Sequence, residues 1–396
     1  MRLTLRPERL VAGGDALARD GDGRVVFVRG ALPGELVSAE ITSAKKDFAR
    51  AEVAEIVEPS ADRVHPPCAH RREGCGGCGW MHLAPAAQLD AKVEIVRESL
   101  RRIGRIDAAE VDRLVVAGAA VDPTAYRTTI RVVGSSDRSP GYREAASDAV
   151  VPVDDCLVAH PALSGVLAEV RVAPGVELAL RVSAATEAMT ARWEGGRGVV
   201  DGLPPAVHVG DRAWLSEIVA GTELRVSAPS FFQSGPQAAE LLVATVGRHA
   251  PELAGARHVV DAYGGVGLFA ATVMAEAAHV TLLESSDSAC ADAERNLAGR
   301  DATVVRGEVG RWAPAEGPVD VVVADPARPG LGRPGVTALT APDPAVLLLV
   351  SCDPVSLARD SRLLAEQGYV PRVIEVFDLA PQTAHVEVVT RFEKAI

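Results

Sequence analysis

The chain has 396 residues, 48% of them hydrophobic, and a formal net charge of −12 at pH 7. That is enough length and core-building material for two or three domains, and the acidity argues against a generally basic nucleic-acid binder while leaving room for a local basic face. No apolar run reaches the roughly 20 residues of a membrane-spanning helix and the N-terminus shows no signal-peptide pattern, so the expectation is a cytoplasmic protein with no membrane attachment.

Only four of the 41 basic residues are Lys, and Arg suits phosphate recognition. Six Cys in such a chain point to metal binding or catalysis rather than disulfides. Residues 1–59 read as short strands broken at Gly13-Gly14-Asp15, Asp20-Gly21-Asp22-Gly23 and Pro33-Gly34, a pattern that predicts a small β-barrel. Lys45, Lys46 and Arg50 fall on one loop-to-strand segment, either an edge that binds a phosphate backbone or a solvated face. With Gly30-Ala31-Leu32-Pro33-Gly34-Glu35 leading into an outgoing strand, the block resembles a TRAM domain, an OB-like RNA-binding barrel.

Residues 60–228 form a mixed α/β central segment. Cys68, Cys75 and Cys78 lie among Gly74, Gly76, Gly77 and Gly79, and glycines let a backbone wrap so that several thiolates converge. Cys156 is the candidate fourth ligand; zinc and an iron–sulfur centre fit four cysteines equally well. Pro85 to Ile103 predicts a helix with Leu89, Val93, Val96 and Leu100 on one face, free to pack on the C-terminal domain. Tyr126 to Val132 alternates as a strand, with Arg127 and Arg131 on a single face.

From residue 229 the pattern turns to strand–helix repeats, which predict an α/β domain over 229–396. A strand ends at Asp261 and runs into the glycine turn Tyr263-Gly264-Gly265-Val266-Gly267. The next ends at Glu284, placed to accept hydrogen bonds from ribose hydroxyls, and a third ends at Asp325-Pro326-Ala327-Arg328. The run Ala345 to Val350 leads to Ser351-Cys352-Asp353-Pro354 and a helix, which sets Cys352 at a strand end before a helix start, where a thiol's pKa is lowered. Two last strands, near 370–377 and 385–391, close the sheet. Gly265, Gly267 and Ala270 also fit a nicotinamide-dinucleotide turn, but the acid before the turn and the strand-end carboxylates favour S-adenosylmethionine.

Taken in order, these motifs, with Phe231-Phe232-Gln233 and His385-Val386-Glu387, resemble the RNA uridine-5-methyltransferase family over nearly the whole chain. The resemblance implies an OB-like TRAM barrel, the central α/β segment and a Rossmann-like class I methyltransferase domain, in a monomer that acts on RNA. It favours 23S ribosomal RNA over tRNA. It implies Cys352 as nucleophile, Glu387 as base, and Gln233, Tyr263, Glu284 and Asp325 as contacts to S-adenosylmethionine. It implies a [4Fe–4S] centre on Cys68, Cys75, Cys78 and Cys156. Gly235, Gly264, Ala327 and Asp353 depart from the family's usual Asn, Cys, Pro and Asn, so the alternative is an RNA-binding or RNA-folding paralogue with weakened catalysis.

Overall fold

The structure, a computed structural model, describes residues 1–196, 198–314 and 317–395. Its N-terminal sheet comprises β1 (Arg2–Leu5), β2 (Arg9–Leu10), β3 (Ala16–Arg19), β4 (Val25–Arg29), β5 (Leu36–Ala44) and β6 (Phe48–Glu58), in the order β1-β5-β6-β4-β3-β2. Long β6 pairs antiparallel with β5 and parallel with β4, which curls the sheet toward a barrel. Val26, Val28, Val37, Ala39, Ala49 and Ala51 point inward at the period of two that strands impose. Trp80, Leu83 and Ile95 complete this core, and Trp80 Nε1 donates to Gly14 O at 3.0 Å. The barrel is therefore buttressed by the next segment.

That segment runs through α1 (Ala69–Arg72), α2 (Pro85–Arg102), α3 (Ala108–Leu114) and β7 (Val115–Ala120). It continues with β8 (Thr129–Gly134), β9 (Pro140–Arg143), β10 (Val150–Pro152), α4 (Pro161–Glu169), β11 (Arg171–Val172) and β12 (Glu177–Val182). Then come β13 (Met189–Trp193), β14 (Val200–Asp201), β15 (His208–Val209), β16 (Trp214–Val219) and β17 (Thr222–Ser227). The order β10-β9-β8-β12-β13-β15 makes one sheet, and β11–β14 and β16–β17 are separate pairs. The strand expected from Tyr126 begins only at Thr129, and Arg127 does not share an exposed face with Arg131. Arg127 turns inward over the Tyr126 ring, 5.5 Å from its centroid, while exposed Arg131 pairs with Glu177 at 2.9 Å.

The C-terminal part contains α5 (Pro236–His249), β18 (His258–Ala262), α6 (Leu268–Ala271), β19 (His279–Glu284), α7 (Asp287–Asn296), β20 (Ala302–Arg306) and β21 (Val321–Ala324). It ends with α8 (Gly332–Thr340), β22 (Val346–Ser351), α9 (Pro354–Glu366), β23 (Tyr369–Asp378) and β24 (Glu387–Lys394). The sheet order is β20-β19-β18-β21-β22-β24-β23-β7. Strands β20 to β22 are parallel, and β24 runs antiparallel between β22 and β23. All residues of β21 and β22 are buried, as unbroken Val and Leu runs require when helices cover both faces.

The edge strand β7, from the central segment, pairs in parallel with β23. Helix α2 packs with it, its Val93, Val96 and Leu100 entering the same core as Leu357, Leu364 and Ile374. The segment over 60–228 thus does not pack as one unit: 85–120 closes the open edge of the C-terminal sheet. Among the described residues no helix is long and apolar enough to cross a membrane.

Candidate active site

The order of β18 and its neighbours reverses at the β18–β21 boundary, and open α/β sheets bind ligands at the carboxyl ends of strands flanking such a point. Asp261, Glu284, Asp325 and Cys352 all lie at or just after carboxyl ends there. Antiparallel β24 contributes Glu387 from its first position, which brings that side chain to the same edge. The turn between β18 and α6 places Tyr263, Gly265 and Gly267 at φ +60°, +56° and +89°, left-handed conformations in which two glycines relieve the steric cost and Tyr263 bears it.

One cavity of about 640 Å³ is lined by Gln233, Tyr263, Glu284, Asp325, Cys352 and Glu387 together. Glu284 accepts from the backbone N–H of Gly265 at 3.0 Å and of Ser285 and Ser286 at 2.7 Å each, which fixes its carboxylate at the cavity wall. Gln233 Nε2 donates to Asp325 Oδ2 at 3.4 Å. Beneath the turn, Asp261 is fully buried; it accepts from Ala270 N at 2.9 Å and leaves Oδ1 without a partner. Burial, with Asp325 and Glu284 adding, pushes Asp261 up to about 7. Burial alone raises Asp325 to about 7. The three carboxyl groups that line this cavity, of Glu284, Asp325 and Glu387, favour a cationic ligand when ionised.

A second chamber, of about 330 Å³, adjoins the first and is lined by Arg131, Arg181, Arg328 and His385. Cys352, Glu387, Arg328, Phe231, Phe232 and Gln233 line both, so they stand at the junction. Phe231 is 72% exposed there, although a large aromatic ring normally seeks cover. One guanidinium nitrogen of Arg328 lies 3.0 and 3.1 Å from the two ring nitrogens of His385. His385 keeps an exposed face, yet the protein packed around the rest of its ring and then Arg328 push its pKa down to about 4, so the ring is neutral at pH 7. The smaller chamber thus adds Arg131 and Arg181 and the larger adds Glu284 and Asp325, with a thiol, a carboxyl and the Arg328 guanidinium between them.

The thiol departs from expectation. Cys352 precedes α9, yet its pKa is raised to about 11 rather than lowered. Burial is the main cause, Glu387 and Asp325 add to it, and Arg328 opposes them. The helix start has less to offer because Asp353, its N-cap, already accepts from Ser356 N at 2.7 Å. Glu387 is itself held well above the usual carboxylate range, by burial first and Asp325 second, with Lys92 opposing.

Cys68, Cys75, Cys78 and Cys156 line one small void of about 70 Å³, and all four are free. Arg71 holds the loop by donating to the Cys78 and Cys75 carbonyls at 3.1 and 3.3 Å. No three of the sulfurs lie within 4.8 Å of one another. A tetrahedral zinc site with bonds of about 2.3 Å needs sulfurs only about 3.8 Å apart. Cys290 packs apart, its Sγ 3.4 Å from Glu284 O.

Three of the four departing positions have local explanations. A Cβ on Gly264 would lie 2.7 Å from Leu282 Cγ, and one on Gly235 2.3 Å from the Tyr126 carbonyl oxygen. Asp353 caps α9 as Asn would. Nothing in the structure explains Ala327. Sequence reasoning gave no role to Lys92, Asp378 or Arg181; a lysine on the apolar side of α2 was the available signal.

A family model described as a TRAM domain matches residues 8–54. The chain is 34% identical to an uncharacterized RNA methyltransferase of Streptomyces coelicolor, covering 97% of this chain and 91% of that one. It is 33% identical to the 23S rRNA (uracil(1939)-C(5))-methyltransferase RlmD of Halomonas elongata, covering 96% and 86%. The crystal structure of Pyrococcus abyssi tRNA (uracil-54, C5)-methyltransferase in complex with S-adenosyl-L-homocysteine superposes with a TM-score of 0.72 at 23% identity, over 99% of this chain and 100% of that one, which establishes the shared fold.

Proposed function

The chain belongs to the RNA uridine-5-methyltransferase family, and on that premise we propose that it methylates C5 of a uridine in RNA, 23S ribosomal RNA in preference to tRNA, using S-adenosylmethionine. The observation that carries this reading is the junction: Cys352 and Glu387 both line the larger chamber and the smaller one. The first suits a sulfonium cofactor, held by Gln233, Tyr263, Glu284 and Asp325. The second suits an extruded uridine with its phosphate, since a base inside a stack cannot reach an enclosed site.

C5 of uracil is too weak a nucleophile to take a methyl group unaided. Cys352 Sγ adds to C6, and the electron pair of the C5–C6 double bond is released to C5. The cofactor supplies an activated methyl group to that carbon. Glu387 then takes the C5 proton, the double bond re-forms and the Sγ–C6 bond breaks, freeing Cys352. Burial, Glu387 and Asp325 favour the protonated thiol, so the Sγ proton must pass to solvent before Sγ adds to C6.

Cys68, Cys75, Cys78 and Cys156 are the residues that would hold a [4Fe–4S] centre, which when bound would tie the 68–78 loop to the 156 segment and supply redox capacity. Iron and sulfide in anaerobically purified protein support that assignment; stoichiometric zinc without iron overturns it.

The function is tested by mass-spectrometric mapping of 5-methyluridine in tRNA and ribosomal RNA with and without the gene. Loss of one ribosomal 5-methyluridine, restored by the wild type and not by Cys352→Ala, supports the reading; unchanged maps refute it. Glu387→Gln should trap a covalent protein–RNA adduct that survives denaturing gels and requires Cys352.

A further inference from the structure

The connection between β23 and β24, residues 379–386, delivers Glu387 to the junction, and its carbonyls are pinned from distant parts of the chain. Leu379 O accepts from Ser234 Oγ at 3.2 Å and Pro381 O from Tyr126 OH at 3.0 Å. Gln382 O accepts from Trp80 N at 2.9 Å. Gln382 sits at φ +68°, and its N–H donates to Gln88 Oε1 at 2.6 Å. Lys92, one helical turn beyond Gln88 on α2, donates to Asp378 Oδ1 at 2.5 Å and to Ala380 O at 3.3 Å.

Lys92 is 0% exposed and Asp378 is 1% exposed. A lysine fully out of water is costly, and a neutral pair would hold the connection equally well. The position of the charge therefore needs a reason. Phe377 is paired in register with Glu387, so Asp378 is the next residue along β23 from Glu387's direct partner. We propose that Lys92 is a positioning residue for the Glu387 base: from α2 it clamps the β23–β24 connection at Asp378 and Ala380 and so places its ammonium beside the strand position that pairs with Glu387. The inference rests on Glu387 being the base.

The charges around Glu387 set the sign. Asp325, after β21, opposes its ionisation and Lys92 favours it, while Asp378, 2.5 Å from Lys92, offsets part of that positive charge. Cys352 and Arg328 line the same junction and His385 the adjoining smaller chamber; the thiol and the imidazole are neutral at pH 7 and Arg328 is cationic. Removing Lys92 raises the Glu387 pKa further. Less carboxylate is then present at neutral pH, and the proton-removal step recovers only as pH rises.

The test follows resolution of the covalent protein–RNA adduct against pH in single turnover. Lys92→Met alone strands a buried carboxylate and risks unfolding, so the principal variant is Lys92→Met/Asp378→Asn, with its melting temperature measured alongside. Its midpoint for adduct resolution should move up, by less than loss of Lys92 alone would give because the paired Asp378 charge goes with it, so that unresolved adduct outlasts the wild type's at pH 7. S-adenosylmethionine affinity should stay within about twofold, as Lys92 does not line that chamber. Gln88→Met, which loosens the same connection without changing a charge, should keep the wild-type midpoint. A folded double variant with the wild-type midpoint overturns the role of Lys92, and so does an equal shift in Gln88→Met. If Glu387→Gln resolves its adduct like wild type, the base assignment falls and this inference with it. An adduct trapped in Glu387→Gln beside an unshifted double variant overturns the inference alone.

Discussion

The raised pKa of Cys352 makes the free protein's reactivity measurable. At about 11 and pH 7.5 the thiolate fraction is about 3 × 10⁻⁴, whereas a thiol at about 8.5 is about 9% ionised. Alkylation proceeds through the thiolate, so Cys352 should react with iodoacetamide about 300-fold more slowly than an ordinary accessible thiol. The rate should climb about tenfold per pH unit through pH 10, as expected for a group whose neutral form is favoured by burial and by neighbouring carboxylates. The assay is mass-spectrometric labelling of peptides containing Cys352 in RNA-free protein, with Cys352→Ala as the blank. A plateau below pH 8 would mean that the start of α9 outweighs burial, and the reasoning would be wrong.

Three further outcomes follow from the geometry. Asp325 sits at about 7 in the empty cavity, and a sulfonium ligand favours its ionised form, so binding expels a proton; titration calorimetry should find S-adenosylmethionine affinity rising about tenfold per unit as pH climbs toward 7 and flattening above it, with S-adenosylhomocysteine less sensitive. In the barrel, Arg50 is engaged with Asp15 at 3.0 Å, while Lys45 and Lys46 have no carboxylate partner among the described residues; changing both lysines to Gln should lower the salt slope of RNA binding by about 1.4 to 1.8, and an unchanged slope removes this edge from the RNA path. Gly235→Asn, which restores the family's usual residue, should cost about 1–3 kcal/mol in chemical denaturation because its Cβ would meet the Tyr126 carbonyl at 2.3 Å; wild-type stability would mean that this backbone gives way.

What could be read from the amino-acid order was whatever local chemistry dictates. Short continuous Val and Leu runs such as 346–350, between turn signals, read as strands buried on both faces, and the acids and the cysteine that end them then fall on one edge of a parallel sheet. The glycines around Cys75 and Cys78 announced a wrapped loop for the same reason. Three matters depended on contacts between residues far apart in sequence. Strand β7 joined the C-terminal sheet because β23 offered an open edge and α2 an apolar face to cover it. Arg127 looked like a strand residue facing solvent, but its chain turns in beside Tyr126 before β8 begins. The Cys352 thiol was raised because its ionisation depends on the protein that encloses it and on Glu387 and Asp325, 35 and 27 residues away, and no strand-end rule contains those distances. Lys92 belongs with these: on α2 it is one more residue of an amphipathic helix, and only packing against the β23–β24 connection, 286 residues later at Asp378, gives its charge a place to act.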